Sequence, residues 1–491
     1  MNTDIRGAVY GVLPNLDTLR EFKVQSQNDK PEFGGTLGGV VNVATKSGNN
    51  NFHGSAWDFA RSDLFDARNP FNDLCSPPQC ATATATPPGH YRENEYGGAV
   101  GGPIFRNKTF FYAGYEGWRF SQPFNTFATV PTQAELGLAP GLNGNLDFTR
   151  SLQGAISATA QTANQLYNPY SPGGNTPFQC VPGTGSGYTP MTPEPLNTTP
   201  GSSFGTQAAG AACDIIPAGL VNQQMVKLVQ AYFQQPNFTP VYGVENNNYF
   251  DTRPHTDNMN SWQIRLDQNF SSRDTVFLRL SQMWVSDTQP IQGTISENPQ
   301  SYHAYNFGGA WDHVFNSRLI LDARAGAMFK PYTFYQNAGH SPVGLKPETD
   351  AGFTGIDGTQ GFFMTNVDGR TIGSQAANLR GNPVANADGS VTWIKGNHNM
   401  KTGVQYIYTN RYQQNNFTEV DYSGDQTSSG FKSHALQGNN LASALLGLPS
   451  SFSVQTPTYS LVYLKNADLG RVFPGRMAHQ ADADLERRAA L

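Results

Sequence analysis

From about residue 50 onward, apolar and polar positions alternate over segments of ten or more residues, the period of strands with two unlike faces. Over 260–270, Trp262, Ile264, Leu266 and Phe270 fall on one side, opposed by Gln263, Arg265, Asp267 and Asn269. Over 274–285, Val276, Leu278, Leu280 and Trp284 oppose Thr275, Arg279 and Ser281. Segments 303–315, 319–330 and 400–413 repeat the scheme, with Arg411 on the polar side of the last. Segments 51–61, 94–105 and 109–120 follow it more weakly. These segments exceed the roughly 5–6 residues of an average soluble strand. Aromatics such as Phe270, Trp284, Phe315 and Tyr412 gather near their ends. Ahead of them, 21–48 predicts two strands around a glycine turn, EFKVQSQ and VVNVATKSG.

The connections are of two kinds. Asn269 to Asp274 and Asn316-Ser317 are short polar turns, whereas 121–258 and 335–390 are long intervals with little alternation. Short turns alternating with long loops is the arrangement of outer-membrane barrels, where the turns are periplasmic and the loops extracellular. A large soluble β-sandwich shares the alternation. Within the first loop, Val221, Met225, Leu228, Val229 and Tyr232 recur at helical spacing after Pro217, predicting a helix over 218–234 that packs on the loop itself. A second short helix is predicted at 439–448, ended by Gly447 and Pro449. Asp-Gly pairs at 357–358, 368–369 and 388–389 read as turns.

Composition agrees with an extended all-β protein. Hydrophobic residues are 38%, charged residues only 14% and aromatics 12%, with 51 Gly and 32 Pro, which disfavours coiled coils, helical bundles and charge-rich disorder. The net charge is −5 and no Lys/Arg cluster precedes the last few residues, so no nucleic-acid partner is expected. No apolar run approaches the roughly 20 residues of a membrane helix. Residues 1–20 do not read as a signal peptide. The histidines are scattered, no HExxH or GxSxG is present, and GTGSG at 183–187 is loop composition. No catalytic constellation, metal site or cofactor is expected, and an enzyme is the least favoured class. Cys75 and Cys80 share a Pro-rich loop, and Cys180 and Cys213 a second loop-like region. They read as local disulfides of an oxidising compartment or, alternatively, as four loop thiols.

Residues 21–120 resemble a TonB-dependent outer-membrane receptor, of the large subgroup with an N-terminal carboxypeptidase-regulatory-like domain. The run from Gly34 through Gly38, Gly39, Val41, Asn42, Thr45, Lys46 and Gly48 resembles the last strand of the plug. Phe52-His53-Gly54-Ser55 resembles the opening of the barrel, and Tyr96 to Ile104 and Lys108 to Gly117 resemble its second and third strands. Thr129 to Thr132 and Ile216 to Asn237 resemble the start and end of the next loop. Gln263 to Ser281 resembles a barrel hairpin, and Leu441 to Ser451 a later loop.

The resemblance implies a partial transmembrane antiparallel β-barrel with long extracellular loops and the C-terminal part of a plug domain. Residues 1–48 would be plug and 49–463 the first part of the barrel. Residues 464–491 would be an atypical tail, read as frame-shifted or as a terminal helix. It implies location in the outer membrane of a Gram-negative bacterium. The receptor would contact outer-membrane lipid and an unidentified extracellular ligand, with the TonB complex engaging a region before residue 1. The chain alone is expected to be a fragment that does not transport. Arg265, Asp267, Arg279 and Arg411 are the expected lumen-facing wall contacts. The alternative class is a secreted or surface β-rich adhesin or glycan binder.

Overall fold

The alternating segments become strands, and each pairs antiparallel with the next. A computed structural model describes residues 12, 15–25, 40–65, 73–75, 84–85, 90–123, 126–148, 166–174, 176–178, 214–238, 248–295, 297–334, 364–367, 370–372, 378–381, 383–414, 417–432, 438–455 and 462–472. Strands β1 (Leu19–Gln25) and β2 (Val40–Thr45) form a separate two-stranded sheet. The main sheet runs through β3 (His53–Ser62), β4 (Arg92–Phe105), β5 (Thr109–Pro123), β6 (Pro254–Asn269) and β7 (Asp274–Pro290). It continues through β8 (Glu297–Asn316), β9 (Leu319–Phe329), β10 (Val384–Lys395), β11 (His398–Gln414) and β12 (Val462–Val472). Each strand from β3 to β12 is bonded to its sequence neighbour. With the short strands Pro331–Phe334 and Asn378–Gly381 this makes a 12-stranded sheet. Among the described residues β3 and β12 do not pair, so the sheet is an open wall, part of a barrel.

The register places like faces together. Ile264 pairs with Leu280, Leu266 with Leu278, and Leu280 with Phe307, while Arg265 pairs with Arg279 and Gln263 with Ser281. The apolar rows are exposed, Ile264 at 40% and Leu266 at 41%, whereas Gln263 and Ser281 are each 5% exposed. An outward apolar face and a polar inner face are what a wall between lipid and a filled lumen requires.

Some details depart from the sequence reading. Asp388-Gly389 is not a turn: both residues lie inside β10, opposite Arg324 and Ala323 of β9. Turn propensity yields here to two complete ladders, because burying the backbone of a wall strand demands partners on both edges. The long interval from 335 therefore ends at Val384, where β10 begins. Within 464–491, expected to be a tail, strand β12 continues as far as Val472.

The long loops do not hang free of one another. Phe148, Leu166, Ile216, Met225, Val229, Tyr232, Val367 and Leu445 belong to one buried cluster, which draws on the loops after β5, β9 and β11. Helix α1 (Gln223–Tyr232) supplies its apolar stripe, with the Asn222 side chain capping the amides of Gln224 and Met225. The predicted start at Pro217 opens a 3-10 turn (Ala218–Leu220) instead. Helix α2 (Asn440–Leu445) is capped by Asn439. The two helices meet end to end, the Asn222 amide donating to the Leu445 carbonyl at 2.7 Å. Gly447 ends α2 at φ +71°, and a Cβ there would lie 2.7 Å from Asn222 Nδ2, so only glycine suits both the turn and the contact.

Candidate functional site: the inner wall and what fills it

Of the described residues before β3, several lie against the inner face of the wall. Val12 joins Met259, Met283 and Ala304 in a small buried cluster. The turn Leu16–Thr18 follows, capped by the Asn15 side chain. Fully buried Thr18 lies over Gly114, where a Cβ would come within 2.4 Å of Thr18 Cγ2. The Tyr112 hydroxyl donates to the Asp17 carbonyl at 3.1 Å. Buried Gly48 passes so close to β4 and β5 that a Cβ would meet the Phe111 carbonyl at 2.3 Å and the Gly102 carbonyl at 2.6 Å.

Arg265 links the wall to the N-terminal hairpin. It holds Asp267 through Nε and Nη2 (3.0 and 2.7 Å) and donates from Nη1 to the Thr45 carbonyl (3.2 Å) and Thr45 Oγ1 (3.0 Å). Its guanidinium also lies 4.2 Å from the centroid of the Phe277 ring. A forked, planar cation is suited to bridging a carboxylate, a carbonyl and a hydroxyl at once. Arg279 is brought beside it by the register and donates to Asn306 Oδ1 at 3.3 Å. Arg411 lies on β11, with its side chain outside the described residues. Of the plug-strand motif, Val41, Asn42, Thr45, Lys46 and Gly48 are described. Thr45 and Gly48 are buried, and the Lys46 amide donates to Thr18. Gly34, Gly38 and Gly39 lie outside the described residues, as do Cys80, Cys180 and Cys213, and of Cys75 only the backbone is described.

Higher on the same face is a shelf the sequence reading did not single out. Trp118 and Phe120 stack with centroids 5.4 Å apart, and His255 meets Phe120 edge-on at 5.7 Å. His255 Nε2 lies 2.7 Å from Asp287 Oδ1, and Trp118 Nε1 donates to Glu93 at 3.0 Å. Asp257 Oδ1 is buried with no hydrogen-bond partner among the described residues. The available signal was that Trp118, Phe120, His255 and Asp257 occupy same-side positions at the loop ends of β5 and β6.

The loop assembly covers this end of the wall's strands. Inside it Asp214 accepts from the Leu166 amide at 2.7 Å. Burial pushes the Asp214 carboxyl up to about 7; the Leu166 hydrogen bond opposes this and the nearby Asp147 charge adds to it. An unfolded aspartate titrates near about 3.9, so between about pH 4 and 7 the folded assembly binds the extra proton. Its stability is therefore fully present below that window and falls as pH rises through it. Hydrogen exchange of the α1 segment is expected to be faster at pH 8 than at pH 5 after correction for intrinsic rates. Asp214→Asn is expected to remove that difference; an unchanged pH dependence in the variant would refute the assignment.

An antiparallel wall with an apolar outside, a polar inside and an inserted N-terminal hairpin defines a transmembrane β-barrel of the plugged kind. The chain belongs to the outer membrane beta barrel domain family, whose sequence model matches residues 44–467. It is an outer-membrane protein. Over 104 residues it is 28% identical to the TonB-dependent transporter Oar of Myxococcus xanthus, a match spanning 21% of this chain and 9% of that protein. Among solved structures it aligns with the outer membrane transporter YddB from Escherichia coli. That alignment covers 96% of this chain and 43% of the other, at 10% identity and a TM-score of 0.47. The Ferric-Catecholate import receptor Fiu from E. coli K12 aligns over 92% of this chain and 57% of that one, at 9% identity and a TM-score of 0.33. The chain thus spans under two thirds of each relative. The expected place in the outer membrane accords with the family match over residues 44–467.

Proposed function

We propose that this chain is the plug-bearing part of the wall of a TonB-dependent receptor, which binds an extracellular ligand and admits it past the plug. Residues up to about 48 act as the end of the plug and the strands from His53 as the wall. The ligand reaches the aromatic and acidic shelf around Trp118, His255 and Asp287 beneath the loop assembly. Energy relayed by TonB then loosens the hairpin from the inner face. The observation that carries this reading is the Arg265 bridge to Thr45, a polar and reversible attachment of hairpin to wall. A polar seam can be remade after each cycle, whereas an apolar one of the same area would resist parting.

The test is thiol accessibility. Thr45→Cys, in a receptor chain that carries a TonB-contact segment and is expressed in an energised Gram-negative cell, is expected to react with a membrane-impermeant maleimide faster than in the same cells treated with a protonophore. Equal labelling in both conditions would sink the proposal of an energy-driven plug.

A further inference from the structure

The ends of the strands opposite the loop assembly close in four tight turns, at 106–108, 270–273, 317–318 and 396–397. With the residues bounding them, these turns hold Arg106, Lys108, Arg273, Arg318 and Lys395 against one acid, Asp274. All five cations are exposed. Asp274 is already engaged: it lies 2.6 Å from His313 Nδ1 and accepts from Ser271 Oγ at 2.8 Å and from Trp311 Nε1 at 3.3 Å. The loop ends of the same strands carry both signs, among them Glu93, Asp257, Asp287 and Arg119. In a chain of net charge −5, a rim this one-signed is a local concentration of positive charge.

The turns form one edge rather than four separate tips. The carbonyls of Lys108, Arg273 and Arg318 accept the amides of Asn269, Val314 and Ile394 in the following strands, at 2.8, 2.9 and 2.8 Å. Each basic turn is thereby tied to the next hairpin. With strands about 4.8 Å apart, successive turns recur about every 10 Å along the rim. Just inside the rim, on the outward face, Phe105, Phe270, Phe315 and Trp393 are exposed by 65%, 70%, 47% and 45%. Aromatic side chains of this kind lie at the boundary between hydrocarbon and headgroups. They fix the depth of the wall so that the cations stand at headgroup level. Lys395 Nζ lies 5.3 Å from the Trp393 centroid, which holds one cation directly above the aromatic row.

We propose that this rim is a docking surface for anionic phospholipid headgroups of the periplasmic leaflet. The partner is identified by charge and by height: a row of exposed cations whose one neighbouring acid, Asp274, is already engaged, set one layer above the apolar face. Cations near a charged leaflet each add to the attraction, so five in a row discriminate strongly between anionic and zwitterionic lipid, and salt weakens the effect.

The experiment is spin-label electron paramagnetic resonance on the full chain in phosphatidylcholine vesicles containing a minor fraction of phosphatidylglycerol. Labelled phosphatidylglycerol is expected to show a motionally restricted fraction several-fold above that of labelled phosphatidylcholine. The preference should collapse at molar sodium chloride. It should also collapse in a variant with Arg106, Lys108, Arg273, Arg318 and Lys395 all replaced by glutamine, whose circular dichroism verifies the β content. Equal restriction of the two lipids in the unmodified chain would overturn the proposal, as would an unchanged preference in the folded variant. If the variant does not insert, the salt series on the unmodified chain decides. Displacement of phosphatidylglycerol by inorganic phosphate, but not by chloride at equal ionic strength, would also overturn it in favour of a phosphate-ion site.

Discussion

Arg265→Ala is expected to release the N-terminal hairpin from the wall while leaving the strands paired. The substitution leaves the Asp267 carboxylate, 17% exposed, without its cation and removes both hydrogen bonds from Nη1 to Thr45. Breaking a partly buried ion pair from one side costs about 2–4 kcal/mol, most of it the stranded charge. The loss should fall on the hairpin, because Arg265 is a principal side-chain link from β6 to β2. Hydrogen exchange should show lost protection at 19–25 and 40–45, with β6 and β7 unchanged. Arg265→Lys keeps a charge near Asp267 but not the fork, and should fall between the two. Coupling of Arg265→Ala with Thr45→Val by about 1 kcal/mol would confirm the bridge. A hairpin whose protection is unaltered by Arg265→Ala would refute it.

Phe148→Ala is expected to unfold the loop assembly without unfolding the wall. Phe148 is fully buried in the cluster that joins α1, α2 and the strands around Ile216. Truncating a buried phenylalanine costs about 3–5 kcal/mol. Loop elements stand at the low end of local stability, so that cost is enough to open them. Limited proteolysis should then cut near α1 and α2 while the flanking fragments, β3 to β5 and β6 to β11, stay intact. Phe59→Ala, at a position of β3 that is 64% exposed, should leave the same cleavage pattern as the unmodified chain. Loss of the wall together with the loops in Phe148→Ala would mean that the two are one cooperative unit.

Much of this was legible along the chain. Alternation over Trp262 to Phe270 and Val276 to Trp284 located strands and assigned their faces, because each side chain of a strand points opposite to its neighbours. The spacing of Met225, Leu228, Val229 and Tyr232 located α1 for the analogous reason. Asn439, which caps α2, and Gly447, which ends it, are local signals of the same kind. Local chemistry also misled: Asp388-Gly389 has the composition of a turn, yet the ladders from β9 and β11 hold it extended.

The sequence by itself determined the strands, their two faces and the division into short turns and long loops, since these depend only on period and on residues near in the chain. The tertiary structure alone decided that Arg265 reaches Thr45, that Gly48 slips between the carbonyls of Phe111 and Gly102, and that Asn222 meets Leu445. It also gathered Trp118, Phe120, His255 and Asp287 onto one shelf. Each of these contacts joins residues far apart in sequence. Their partners are set by strand register and loop packing, which no period along a single segment encodes.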